Sequence, residues 1–256
     1  MSPWLLAIPV FVAVSFLFLH LISARGLRRA LIFTIFCLIV MIDKEASQGR
    51  FHPPDYILHG EFPRIFGASI VVVLGWYFAF VCSWYLSERI LTAMRLKHPP
   101  KPAMLIILIA LLVAMFSLAM EMTGIAMGWW EWTDMRGRLS PLSEASITLA
   151  GMLPYWQRIG TRITAWAFHS LVVFVPYLLL EETRLRDRLP NWSKPLLSLA
   201  YIAAMYIITN LTGHADMIII GVILLIVAIT TNKFDLTPPS TFFDARSLSE
   251  RVPKAE

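Results

Sequence analysis

Seven apolar stretches, separated by loops that carry nearly all the charge, constrain this chain more than any motif in it. They lie at about residues 3–22, 30–42, 66–86, 103–127, 163–180, 196–209 and 217–231. A helix needs roughly 20 apolar residues to cross a hydrocarbon core about 30 Å thick. The first, third, fourth and fifth stretches reach or approach that length. The others are shorter and are completed by polar flanks or by packing inside a bundle. In lipid every backbone N–H and C=O must find its partner within the segment, so such runs predict helices. The expected fold is all-α, a polytopic transmembrane helical bundle of about seven spans over residues 1–231. A polar cytoplasmic tail follows at 232–256.

Composition excludes a soluble alternative. Only 15% of the 256 residues are charged and 57% are hydrophobic, whereas soluble domains carry charge on about a quarter of their residues. Ile70–Phe80 and Ile218–Ile229 are apolar on all sides, so neither offers the polar face of a soluble amphipathic helix. The net charge of +5 does not point to nucleic acid, because Lys and Arg collect in the cytoplasmic loops of membrane proteins. With seven spans, one side holds 15 basic residues: Arg25, Arg28, Arg29, Arg89, Arg95, Lys97, Lys101, Arg184, Arg186, Arg188, Lys194, Lys233, Arg246, Arg251 and Lys254. The other holds 7, namely Lys44, Arg50, Arg64, Arg136, Arg138, Arg158 and Arg162. This bias puts the N-terminus out and the C-terminus in. The first span lacks a basic start and reads as a retained helix. Cys37 and Cys82 both fall within spans and read as buried small hydrophobes.

Polar candidates gather on the outer side. Loop 43–64 (DKEASQGRFHPPDYILHGEFPR) supplies His52, Asp55 and His59, a possible outer-face polar site. Loop 128–162 supplies Asp134, and the compact turn NLTGHAD supplies His214 and Asp216. Histidines and carboxylates are the usual materials of acid–base sites, and solvated carboxylates are also ordinary in wet loops. The two long loops are expected to fold back over the bundle, with helical turns near Leu142–Ala150. No tight ligand spacing marks a metal site, and no cofactor is indicated.

Glu121 is the sharpest single residue. It ends the run MLIILIALLVAMFSLAM, and a carboxyl within a span is expensive enough to face the bundle interior with a task. Removal from water favours the neutral acid, the form that donates a proton. A protonated carboxyl bonding a neighbouring helix is the structural alternative. His169 stands alone in ITAWAFHSLVVFVPYLLL, where packing and ligand contact are both open to it. Glu181 and Glu182, beside Arg184, Arg186 and Arg188, read as surface partners, and His20 as interfacial. Trp129, Trp130 and Trp132 suit an interfacial belt.

Two stretches carry a family resemblance. EMTGIAMGWWEW (residues 121–132) resembles the E-x-x-G-x-x-x-G-aromatic pattern of the bacterial and archaeal carotenoid biosynthesis membrane proteins, which include carotenoid hydratases. FGASIVVVLGWYFAFVCSWYLSERIL (residues 66–91) resembles their apolar span with a central Gly-Trp. The resemblance implies a hydratase-like lyase acting on an apolar isoprenoid or carotenoid-type lipid. It transfers Glu121, Gly124, Gly128 and Trp130, with Gly75 and Trp76 forming the pocket. Alkene hydration needs a neutral acid beside an apolar cavity, aromatic faces to stabilise a tertiary cation, such as Trp129 and Trp130, and a second group to orient water. Asp134, His214 or Asp216 would be that group, and His169 would contact substrate. The bilayer and the lipid substrate are then the partners, with no nucleic acid. Two alternatives belong to other classes: a non-enzymatic assembly factor or pigment-binding subunit joining a membrane complex, and a small transporter.

Overall fold

The computed structural model describes residues 4–48, 56–58, 62–94, 101–134, 137–138, 166–183, 188–190, 192–193, 196–197, 199–201, 203–204 and 215–230. Most of them are helical. Helix α1 spans Trp4–Arg25, α2 Leu27–Gln48, α3 Ile70–Ala93 and α4 Pro102–Ala126. Helix α5 spans Trp166–Glu181, α6 comprises the helical positions described within 196–204, and α7 spans Ala215–Thr230. Among the described residues, three helical segments are long and apolar enough to cross a membrane: Ala7–Arg25, Ile70–Ala93 and Pro102–Gly124. Their outward residues, such as Phe16, Leu19, Leu111 and Met115, are exposed on the chain, as lipid-facing positions would be.

The connections are not purely helical, which amends the all-α expectation. Strands β1 (Tyr56–Leu58), β4 (Trp130–Asp134) and β5 (Gly137–Arg138) lie in the two long loops, and β2 (Arg64–Ile65) and β3 (Ala68–Ser69) lie where the first of them meets the third apolar stretch. β1 runs antiparallel to β4, with Tyr56 opposite Trp132 and Leu58 opposite Trp130. The loops thus fold onto each other, since each would otherwise leave backbone groups unpaired. β2 and β3 form a hairpin whose turn residues, Phe66 (φ 50) and Gly67 (φ 90), both have positive φ, the geometry that matches strand twist. The stretch Leu142–Ala150 lies outside the described residues.

Neighbouring helix directions follow from tight ends. Gly26 alone separates α1 from α2: its N–H still bonds the Ile22 carbonyl at 2.8 Å, and its φ of 82° turns the chain out of α1. Helix α3 occupies the centre and packs on α1, α2 and α4. Phe33 of α2 lies 5.1 Å from the rings of Trp84 and Tyr177 and 5.3 Å from that of Phe174. Tyr201 of α6 stacks on Phe36 and donates to the Val172 carbonyl at 2.8 Å. Lipid tails are as apolar as these side chains, so close packing and hydrogen bonding hold such a bundle, not water exclusion.

Charge is buried at one end of the bundle, where α1, α3 and α5 finish. Arg25 pairs with Glu88 and, at 3.1 Å, with Glu182. Its guanidinium lies 4.9 Å from the centre of the Trp84 ring, while Trp84 Nε1 donates to Glu88 and the Tyr177 hydroxyl to Glu182. Arg28 approaches Glu181 at 3.4 Å and Arg29 approaches Glu182 at 3.6 Å. Glu181 and Glu182 are therefore buried partners of the α1–α2 corner, not residues of the protein surface. Their side chains are only 2% and 3% exposed.

Candidate functional site

At the other end, a cavity of about 280 Å³ opens between the helices. Val71, Val72, Gly75 and Trp76 line it from α3, Ala119, Met120, Glu121 and Thr123 from α4, Lys44 and Glu45 from α2, and Trp166 from α5. Val10 of α1 and the Trp129–Trp130 pair complete the wall. The lining is almost entirely apolar and aromatic, with a few convergent polar groups, the composition of small-molecule sites.

The sequence between residues 121 and 130 builds one wall locally. Helix α4 ends in a Schellman-type turn: Gly128 takes φ +65, and the Trp129 N–H reaches back to the Gly124 carbonyl at 2.8 Å. Such a turn needs a left-handed residue just past the helix, and glycine adopts it without a Cβ clash. The reversal folds Trp130 back along α4. Its indole lies over Gly124, where a Cβ would fall inside the ring. Nε1 then donates to Glu121 Oε2 at 3.0 Å. Glu121 itself is buried, 5% exposed.

The facing wall was not foreseen. Lys44 and Glu45, expected in loop 43–64, lie in α2, which continues to Gln48. Both are buried, with Lys44 Nζ 2.7 Å from Glu45 Oε1. The ammonium sits 3.8 Å from the centre of the Trp166 ring and 6.0 Å from that of Trp76. Those two indoles stack with their planes 21° apart. An ammonium on an indole face is stabilised by the ring quadrupole, and an ion pair so placed needs its partners to remain buried. A signal was available: Phe33, Phe36–Cys37 and Val40–Met41 form a buried stripe at helical spacing. One further turn lands on Lys44–Glu45.

Of the residues singled out from sequence, Glu121, Gly75, Trp76, Trp129 and Trp130 line this one cavity. Gly124 and Gly128 shape its wall without lining it. His169 is buried one turn along α5, its ring 5.5 Å from Trp166, and does not line the cavity. Asp134 ends β4 with its backbone paired to Gly137, and Asp216 is the second residue of α7. His52, Asp55, His59 and His214 lie outside the described residues. Among the described residues, no group of three or more His, Cys, Asp and Glu is placed to hold a metal ion. Cys37 and Cys82 are both free thiols. No family model, curated protein or solved structure matches the chain.

Proposed function

We propose that this chain is a polytopic enzyme of the bacterial inner membrane that adds water across a terminal double bond of an apolar isoprenoid chain, with Glu121 as proton donor. One observation carries the reading: a buried carboxyl borders an aromatic, apolar cavity between membrane-type helices. The cavity volume is near the lower end of the roughly 300–1,000 Å³ typical of small-molecule pockets, room for the end of a chain. The rest of a long polyene would stay in the bilayer.

Transfer of the Glu121 proton to the less substituted alkene carbon leaves a tertiary cation. The indoles of Trp76, Trp129 and Trp130 offer π faces, worth roughly 0.5–2 kcal/mol each to a nearby cation. The Lys44–Glu45 pair carries no net charge, so it does not oppose that cation as a lone lysine would. Seven spans with the N-terminus outside, as the basic residues indicate, put the cavity at the outer leaflet.

A second reading, a pigment- or lipid-binding subunit, draws on Trp130: its hydrogen bond to Glu121 equally suits a purely structural carboxyl. Membranes containing the protein, incubated with an acyclic isoprenoid polyene bearing terminal isopropylidene groups, separate the two. Hydration gives a product heavier by one water, and Glu121→Gln lowers its rate by roughly 10²–10⁴-fold, the usual worth of general acid catalysis. Full activity of a well-folded Glu121→Gln protein removes the acid from the mechanism. Pigment retained on the purified protein without conversion favours the binding subunit.

A further inference from the structure

The cavity contains a second carboxyl group, and its setting is unlike that of the first. Glu121, on α4, receives a hydrogen bond from a neutral indole. Glu45, on α2, faces an ammonium at 2.7 Å. That ammonium is in turn pinned over the face of Trp166. Two acids in one cavity with contrasting partners are the usual arrangement for dividing acid and base duties. Glu45 also lies three residues from the end of α2 at Gln48, the end that the proposed orientation puts on the outer face.

We infer that Glu45 is the general base of the site: it orients the attacking water and accepts its proton, and Lys44 is the positioning residue that holds it. This rests on the hydration reading above and assigns the half of the reaction that Glu121 cannot perform. In the first step the alkene π pair takes the Glu121 proton, leaving a Glu121 carboxylate and a tertiary carbocation. In the second, a water oxygen bonds to the cationic carbon while one O–H bond breaks and its proton passes to the Glu45 carboxylate. The product is a tertiary alcohol. Return of that proton from Glu45 to Glu121, through solvent, restores the starting state, so alkene plus water gives alcohol with nothing left over. The Trp166 face holds the Lys44 ammonium beside Glu45.

Deuterium separates the two carboxyl groups. With an acyclic isoprenoid polyene in D₂O, the wild-type protein should yield alcohol with deuterium on the neighbouring carbon. Glu45→Gln should make alcohol at least about 10²-fold more slowly yet still exchange deuterium into the recovered alkene, because the cation forms and collapses back. Glu121→Gln should lose both signals. Since a lone buried ammonium can prevent folding, the double variant Lys44→Gln/Glu45→Gln is run in parallel; it has neither charge of the pair and no base, and should match Glu45→Gln. Alcohol formation at the wild-type rate in either folded variant overturns the inference. So does loss of alkene exchange along with alcohol in both folded variants, since Glu45 would then not be confined to water capture. Absence of alcohol and of exchange in the wild type sinks the hydration reading, and the inference with it.

Discussion

Gly124→Ala offers a direct measure of how the cavity wall is built. An alanine in a helix is better than glycine by about 0.8–1.0 kcal/mol, so an uncrowded site should gain stability. Gly124 is not uncrowded. Its new Cβ would meet Cζ2, Cη2 and Cε2 of the Trp130 indole, a rigid ring with no flexible end to yield. The ring would have to retreat by roughly 1.5–2 Å to reach normal contact at about 3.5–4.0 Å. Such overpacking typically costs about 1–3 kcal/mol. The movement also breaks the hydrogen bond from Trp130 Nε1 to Glu121 Oε2, now 3.0 Å, worth about 1.5–3 kcal/mol if the acceptor is charged and about 1 kcal/mol if neutral. Taking low values for both losses and the full helix gain leaves a net destabilisation of about 1–1.5 kcal/mol, close to tenfold in the folding equilibrium. Reversible unfolding in mixed micelles measures it, with Trp130→Ala as the second arm of a double-mutant cycle. In the Trp130→Ala background the clash is gone, so Gly124→Ala should turn neutral or stabilising. Stabilisation by Gly124→Ala alone, or an equal effect in both backgrounds, would refute the proposed packing.

Three further outcomes are expected. Lys44→Met should destabilise the protein by about 3–5 kcal/mol because it removes the ammonium facing the buried Glu45 carboxylate, while Lys44→Met/Glu45→Met should regain most of that loss; unfolding titrations of the two variants compare them. Arg25→Met should weaken the opposite end by a similar amount, about 3–5 kcal/mol, since Glu88 and Glu182 both lean on that guanidinium, and thermal unfolding in detergent should show it as a lowered Tm. For topology, reporter fusions after Arg29, Lys97 and Lys194 should read as cytoplasmic and those near Gln48 and Met135 as outside. A cytoplasmic signal at Gln48 contradicts the orientation taken from the basic residues.

The helices were legible because their cause is local. An apolar run must satisfy its own backbone in lipid, and α1, α3, α4, α5 and α7 fall on the runs that predicted them. One wall of the site was legible for the same reason: Glu121, Gly124, Gly128 and Trp130 lie within ten residues, and a single helix-ending turn folds the last onto the first. Where charge is buried, tertiary structure decided its partners. The helical stripe through Phe33, Phe36 and Val40 points on to Lys44 and Glu45, but Trp166 and Trp76, far away in the chain, provide the surface on which that pair is buried. Glu182 looks solvated until Arg25, 157 residues earlier, arrives beside it. A charge leaves water only when its partner is already in place, and no local pattern records a partner that only the folded bundle delivers.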